Sequence, residues 1–169
     1  SFQLYTARNH GPLGKTLAML AKAGYAAVEG FGGVYDQPQS LRRLLDRHEL
    51  SMPTGHFGID MLEGKARQVI AIARTVGMNM LVAPYLTPEQ MPHSARGWKA
   101  LGKRLNTMAR GYRDEGFGFA WHNHDFEFAP LKDGSVPLDL LFAAAPLVDW
   151  EIDVAWVQRS GAKPVQWIS

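Results

Sequence analysis

The 169-residue sequence contains no cysteine. This excludes disulfide frameworks, thiolate metal sites and cysteine nucleophiles, and it leaves the compartment open between cytosol and periplasm. The first residues, Ser-Phe-Gln-Leu-Tyr, enter a strand-like pattern directly, without the pattern of a signal sequence. We therefore expect a cytoplasmic location, or a periplasmic one if a signal segment has been removed.

An excess of charge and long apolar runs are also lacking. The sequence has 18 Lys and Arg against 16 Asp and Glu, a net charge of +2, and no long block of like charges. This balance does not indicate a nucleic-acid partner. No apolar run reaches the ~18 residues of a membrane span, so no membrane partner is predicted. The 46% hydrophobic and 20% charged residues are typical of a globular domain.

What the sequence does contain is a repeated alternation of β-rich runs and amphipathic helical runs. This alternation predicts a parallel sheet covered by helices through right-handed crossovers. The predicted strands are 2–7, 26–31, 52–57, 78–83, 117–122 and 148–154. The predicted helices are 14–23, 39–48, 65–76, 95–115 and 137–145, and residues 164–169 begin another.

Two layouts accommodate such a parallel sheet. One is a doubly wound open sheet, which usually carries a glycine-rich nucleotide loop after its first strand; residues 8–14, RNHGPLG, contain neither of the two common glycine patterns. The other is an eight-stranded barrel of about 250 residues, of which this chain would supply about five and a half βα units. We favour an α/β fold of the (β/α)₈ TIM-barrel type, truncated after the sixth strand, as one domain over 1–169.

Histidine and carboxylate residues recur at the carboxyl ends of the predicted strands, where barrel active sites lie. The second strand ends near Glu29, the third at His56 and the fifth at His122. Strand alternation turns Phe117, Phe119 and Trp121 towards the helices and His122 towards the barrel mouth, on the side that His124 shares. It also turns Glu151 and Asp153 inwards, which is costly unless a cation or basic groups balance them.

Structural roles compete with functional ones for two of these residues. For His56 alone the structural role, a hydrogen-bonded histidine of the core, is the commoner one. Glu29 reads equally as the interior partner of an Arg or Lys.

Four segments carry a family resemblance along the length of the chain. They are Trp121–Phe128 (WHNHDFEF), Trp150–Val157 (WEIDVAWV), residues 27–29 (AVE) and residues 55–58 (GHFG). Taken in their order along the chain, they resemble segments of the sugar phosphate isomerase/epimerase family, the xylose isomerase-like TIM barrels. The resemblance implies a metal set of one Glu, one Asp, one His and one Glu from strands five to eight.

Carried onto this sequence, the resemblance implies Glu127 and Asp153 as metal ligands. His122, His124 and Glu127 are the predicted catalytic residues, and the predicted substrate-binding residues are Glu29, His56, Trp156 and Gln158. A hard divalent ion, Mn²⁺ or Mg²⁺, suits this donor set, with Zn²⁺ as a further option. The remaining ligands would come from strands beyond this sequence, so we expect the segment alone to be inactive, and its open strand edges predict homo-oligomers.

The function predicted is a divalent-metal-dependent isomerase or epimerase of a sugar or sugar phosphate, acting by proton transfer next to a carbonyl. One alternative is a lyase or hydratase of keto-sugars or keto-glycosides. Such an enzyme removes the same proton and then eliminates a leaving group. A second alternative is a non-catalytic barrel fragment. A repair endonuclease of the endonuclease IV type is disfavoured, because the net charge of +2 gives no basic surface for DNA.

Overall fold

The computed structural model describes residues 1–168, and the chain divides into two compact units at residues 82 and 83. The first unit contains β1 (Phe2–Gln3), β2 (Ala27–Gly30), β3 (Ser51–His56) and all but the last residue of β4 (Met80–Ala83). Its helices are α1 (Leu13–Lys22), α2 (Pro38–Arg47), α3 (Ile59–Gly64) and α4 (Ala66–Val76). Successive strands β1 to β4 pair in parallel, as the alternation predicts.

The pattern of apolar residues in α4 accounts for its packing. Val69, Ile72 and Val76 recur at helical spacing and are all buried. Gly77 then ends the helix in a left-handed conformation with φ of 91°, and its N–H bonds to the carbonyl of Ala73.

A tyrosine ring fills a notch between β2 and β3. Gly30 and Gly55 lie opposite each other in the strand register, and a Cβ on Gly30 would stand 2.5 Å from the Tyr35 hydroxyl. A Cβ on Gly55 would collide with the same oxygen. The Tyr35 ring stacks on Phe57 at 4.5 Å between centroids, so the two glycines provide the space in which this buried pair packs.

Up to residue 168, the second unit contains two paired strands and four α-helices. The strands β5 (Gly118–His122) and β6 (Asp149–Glu151) are parallel, with Ala120 opposite Asp149 and His122 opposite Glu151. The helices are α5 (Ala95–Asp114), α6 (Pro137–Ala143), α7 (Val154–Arg159) and α8 (Val165–Ile168).

Helix α5 forms the main support of this unit. The Ser94 side chain caps it by accepting a hydrogen bond from the Gly97 N–H at 3.2 Å. On its buried face Tyr112 stacks on Phe119 of β5, with ring planes 11° apart, which confirms the predicted orientation of that strand. Gly102 allows α6 to approach closely, since a Cβ there would collide with the Leu141 carbonyl oxygen.

Two predicted strands are shorter in the structure because side chains redirect the backbone. β1 was expected to reach Ala7, but the Gln3 side chain accepts a hydrogen bond from Tyr5 N–H, and Leu4–Ala7 form a 3₁₀ turn. β6 was expected to reach Val154, but it ends at Glu151 because Asp153 caps α7.

Helices α3 and α7 were not predicted from the sequence. The helix expected to begin within 164–169 is α8 (Val165–Ile168), and Ser169 lies outside the described residues. Among the described helices, none combines the length and the apolar character that a membrane crossing requires.

Candidate functional site

The imidazole of His122 lies between two carboxylates at the carboxyl ends of β5 and β6. Its Nδ1 is 3.6 Å from Glu151 Oε1, and its Nε2 is 3.8 Å from Asp153 Oδ2. Strand register produces this arrangement, because His122 and Glu151 are directly opposite each other and Asp153 follows two residues later. The three side chains are partly exposed, so they form a charged group that a ligand can reach.

Asp153 uses its two carboxylate oxygens differently. Oδ1 accepts hydrogen bonds from Ala155 N–H at 2.9 Å and Trp156 N–H at 3.2 Å, which makes Asp153 the N-cap of α7. Oδ2 is the oxygen that faces His122. The cap therefore fixes the rotation of the carboxylate and leaves one oxygen directed at the imidazole.

Asn123 is fully buried and links the ends of β5 and β6. Its Oδ1 accepts hydrogen bonds from Trp150 Nε1–H and from Asp153 N–H, each at 2.9 Å. Its Nδ2 donates to the Asp153 carbonyl at 3.3 Å and to the His124 carbonyl at 3.4 Å. The two donors on Oδ1 fix the orientation of the amide.

Glu127 is also fully buried and holds the loop after β5. Its Oε1 accepts a hydrogen bond from Trp121 Nε1–H at 3.1 Å, and its Oε2 accepts one from His124 N–H at 2.8 Å. Burial raises the pKa of Glu127 to about 7, against the opposing effect of these hydrogen bonds. Such a pKa suits a group that exchanges a proton near neutral pH.

His124 lies within an aromatic cluster beside His122. Its ring is 5.2 Å from that of His122 and 5.0 Å from that of Trp156, and it stacks on Phe126 at 5.7 Å. Tyr85, which is 49% exposed, meets His124 edge-on at 5.8 Å. The cluster offers flat apolar surface next to the charged group.

The first unit holds a second polar cluster on the face shared by β1, β2 and β3. His56 Nε2 lies 3.2 Å from Glu29 Oε1, and Thr54 Oγ1 donates to Glu29 Oε2 at 2.6 Å. Glu29 and His56 are only 7% and 6% exposed. The interior partners of Glu29 in this cluster are thus His56 and Thr54. The sequence alone had suggested an Arg or a Lys in that role.

Gln3 contacts the other ring nitrogen of the histidine in this cluster. Because Gln3 Oε1 accepts from Tyr5 N–H, its Nε2 is the atom that donates to His56 Nδ1, at 3.2 Å. An accepting Nδ1 assigns the proton to Nε2, which then donates to Glu29.

The structure brings together only some of the predicted site residues. His122 approaches Asp153, and His124 approaches Trp156, whereas Gln158 lies on the exposed side of α7. Glu127 and Asp153 are held by different partners, and their joint binding of a cation stays a prediction.

Two residues outside the predicted set also shape the site. Glu151 faces His122; the alternation along β6 predicted its inward direction but not its contact with His122. No sequence pattern distinguishes Asn123, because its role depends on the register of two strands.

The donor set around His122 fits a divalent cation. Imidazole nitrogen with carboxylate oxygen suits Mn²⁺ or Zn²⁺. A metal-binding histidine commonly donates its other ring N–H to a carboxylate, and Glu151 lies 3.6 Å from Nδ1 while Nε2 faces Asp153. The residues that would hold a cation are His122 through Nε2 and Asp153 through Oδ2.

Comparison with solved structures finds the same fold in xylose isomerase-like barrels. A sugar phosphate isomerase/epimerase from Parabacteroides distasonis aligns with a TM-score of 0.84 and 20% identity, over 99% of this chain and 69% of that one. A probable 3-DHS dehydratase, AsbF of Bacillus anthracis, aligns at 0.72 and 14%, over 98% and 66%. The IolI protein, solved with a zinc atom, aligns at 0.70 and 14%, over 96% and 65%.

These similarities establish the fold and nothing finer, because every identity is at or below 20%. The chain has the TIM-barrel type of fold, with six parallel strands alternating with helices in the described residues, as the sequence predicted. No protein-family model and no curated protein sequence matches the chain.

Proposed function

We propose that the chain belongs to a divalent-metal-dependent isomerase or epimerase that acts on a sugar or sugar phosphate by proton transfer next to a carbonyl. The observation that carries the proposal is the imidazole of His122 between Glu151 and Asp153, at the strand ends where such barrels bind their ligands. The fold comparison with a sugar phosphate isomerase/epimerase supports the same class.

In this proposal some residues of the site would bind the cation and another would orient a ligand. His122 Nε2 and Asp153 Oδ2 would hold the cation, and Glu151 would orient the imidazole through Nδ1. When bound, the cation polarises a carbonyl and its neighbouring hydroxyl, which lowers the barrier to removing the proton between them.

His124 is the residue proposed to move that proton. Glu127 fixes its backbone through the 2.8 Å hydrogen bond to His124 N–H, and the ring lies beside His122. Trp156 and Tyr85 supply apolar surface on which the substrate ring would rest. Glu127 as ligand or base, and Glu29, His56 and Gln158 as substrate-binding residues, remain proposals from the sequence.

Metal titration by calorimetry tests the site directly. Asp153→Asn keeps an effective N-cap for α7 but removes the charge, so it separates metal binding from helix capping. Mutation of a group that only supports a metal ligand typically weakens metal binding by about 10- to 100-fold. We expect Asp153→Asn to weaken Mn²⁺ or Zn²⁺ binding by at least this factor. The matched control is Asp133→Asn, where Asp133 also accepts a backbone N–H two residues on, at 3.1 Å, in the loop before α6. Equal metal dissociation constants for the two variants would refute the proposed metal site.

The reaction class needs a separate assay. The intact protein is incubated with ketoses, their phosphates and keto-glycosides in deuterated water, and the reaction is followed by NMR. Metal-dependent deuterium uptake next to the carbonyl with an intact carbon skeleton supports an isomerase or epimerase. Loss of water or of an aglycone supports the lyase or hydratase alternative, which the fold shared with a probable dehydratase favours as second candidate. Neither exchange nor elimination with any of these substrates would leave the non-catalytic alternative.

A further inference from the structure

Asn123 completes the pairing of β5 and β6 after both strands have ended. The strands stop at His122 and Glu151, yet the Asn123 amide bonds to both backbone groups of Asp153. It accepts from the Asp153 N–H at 2.9 Å and donates to the Asp153 carbonyl at 3.3 Å. The side-chain amide thereby does for Asp153 what a neighbouring strand does for a residue in a sheet.

The hydrogen bonds of the Asn123 amide fix the backbone position from which the Asp153 side chain extends. The backbone of Asp153 is held extended, with φ of −99° and ψ of 102°, and the N-cap bonds then fix its Oδ1. Only Oδ2 remains directed at His122 Nε2, at 3.8 Å. His122 is the residue next to Asn123, so one buried amide fixes the ends of both chain segments that carry the pair.

We propose that Asn123 is a positioning residue that holds Asp153 opposite His122 in the geometry required to bind a divalent cation. The inference rests on the function proposed above, and it adds a residue that touches neither cation nor substrate. All four hydrogen bonds of the amide are made within the protein, and the side chain has no exposed surface with which to contact a ligand.

Asn123→Ala tests the role, and Asn106→Ala is its matched control. Asn106 on α5 likewise accepts a backbone N–H, that of Leu147 at 2.9 Å, so its removal also costs a tertiary hydrogen bond. We expect Asn123→Ala to weaken Mn²⁺ or Zn²⁺ binding by about 10- to 100-fold, as is usual for groups that orient ligands, and Asn106→Ala to leave the binding constant unchanged. Equal dissociation constants for both variants would overturn the proposal.

Hydrogen exchange in the metal-free protein gives a second readout that does not depend on cation binding. In the unmutated chain the Asp153 amide and the Trp150 indole N–H should exchange slowly, and both should exchange fast in Asn123→Ala but not in Asn106→Ala. Fast exchange of the Asp153 amide in the unmutated chain would refute the inference even if Asn123→Ala does not fold. Slow exchange together with no cation binding by the unmutated chain would instead refute the proposed function.

Discussion

The close approach of α5 and α6 makes the substitution Gly102→Ala a sensitive test of the packing in the second unit. A Cβ at this position would collide with the Leu141 carbonyl oxygen and stand 2.9 Å from the Ala144 Cβ. A carbonyl oxygen within α6 is tied into the helix and cannot rotate away as a side chain would. The new methyl group therefore has to push the two helices apart.

Gly111 provides the matched control on the same helix. A Cβ there meets nothing within 4 Å, so Gly111→Ala should show only the gain in helix preference, about 0.5–1 kcal/mol. Gly102→Ala receives the same gain but also the cost of overpacking, about 1–3 kcal/mol. The helix preference cancels in the comparison, and we expect Gly102→Ala to be less stable than Gly111→Ala by about 1–3 kcal/mol.

Urea unfolding followed by circular dichroism measures this difference for the two variants and the unmutated chain. Gly111→Ala should unfold at a higher urea concentration than the unmutated chain, and Gly102→Ala at a lower concentration than Gly111→Ala. If Gly102→Ala is as stable as Gly111→Ala, α5 and α6 are not in the described contact, and the reasoning from the Leu141 carbonyl is refuted.

Two further predictions concern Glu127 and Ser94. The pKa of Glu127 is raised by burial from 4.5 to about 7, so the folded state binds its proton more tightly than the unfolded state. Its contribution to stability is therefore complete below about pH 4.5 and is lost as the pH rises through about 7, with a slope near 1.4 kcal/mol per pH unit. Glu127→Gln should remove this slope in urea unfolding between about pH 5 and about pH 7, and an unchanged slope would contradict the assignment. Ser94→Ala should lower the free energy of unfolding by about 1 kcal/mol, because Gly97 N–H loses its capping partner, whereas Ser94→Asp should retain stability; equal stability of both variants would argue against the cap.

The sequence was most informative where the apolar pattern is long and regular. Helix α4 and strand β5 lie where they were predicted, because burial of alternate or helically spaced residues dominates their conformation. The predicted strand ends were wrong where a hydrogen bond to one polar side chain sets the backbone conformation. Gln3 ends β1 and Asp153 ends β6, and neither contact has a signature in the spacing of apolar residues.

The site could be predicted in composition but not in its pairings. The cluster of histidines and acids after β5 and β6 is visible in the sequence, whereas the contact of His122 with Glu151 follows from strand register. Register depends on packing between elements distant in the sequence. The burial of Glu127 likewise depends on Trp121, whose indole N–H needs a partner inside the protein.

The notch that accommodates Tyr35 makes substitutions at positions 30, 35 and 55 depend on one another. An alanine in place of Gly30 or Gly55 has no room while the tyrosine hydroxyl is present, and a smaller residue at 35 leaves a hole against Phe57. A smaller residue at position 35 should therefore lessen the cost of an alanine at 30 or 55, where the flexible Met52 and Met78 side chains would be the remaining close contacts. These three positions are coupled through one packing contact, although the two glycines lie 25 positions apart in the sequence.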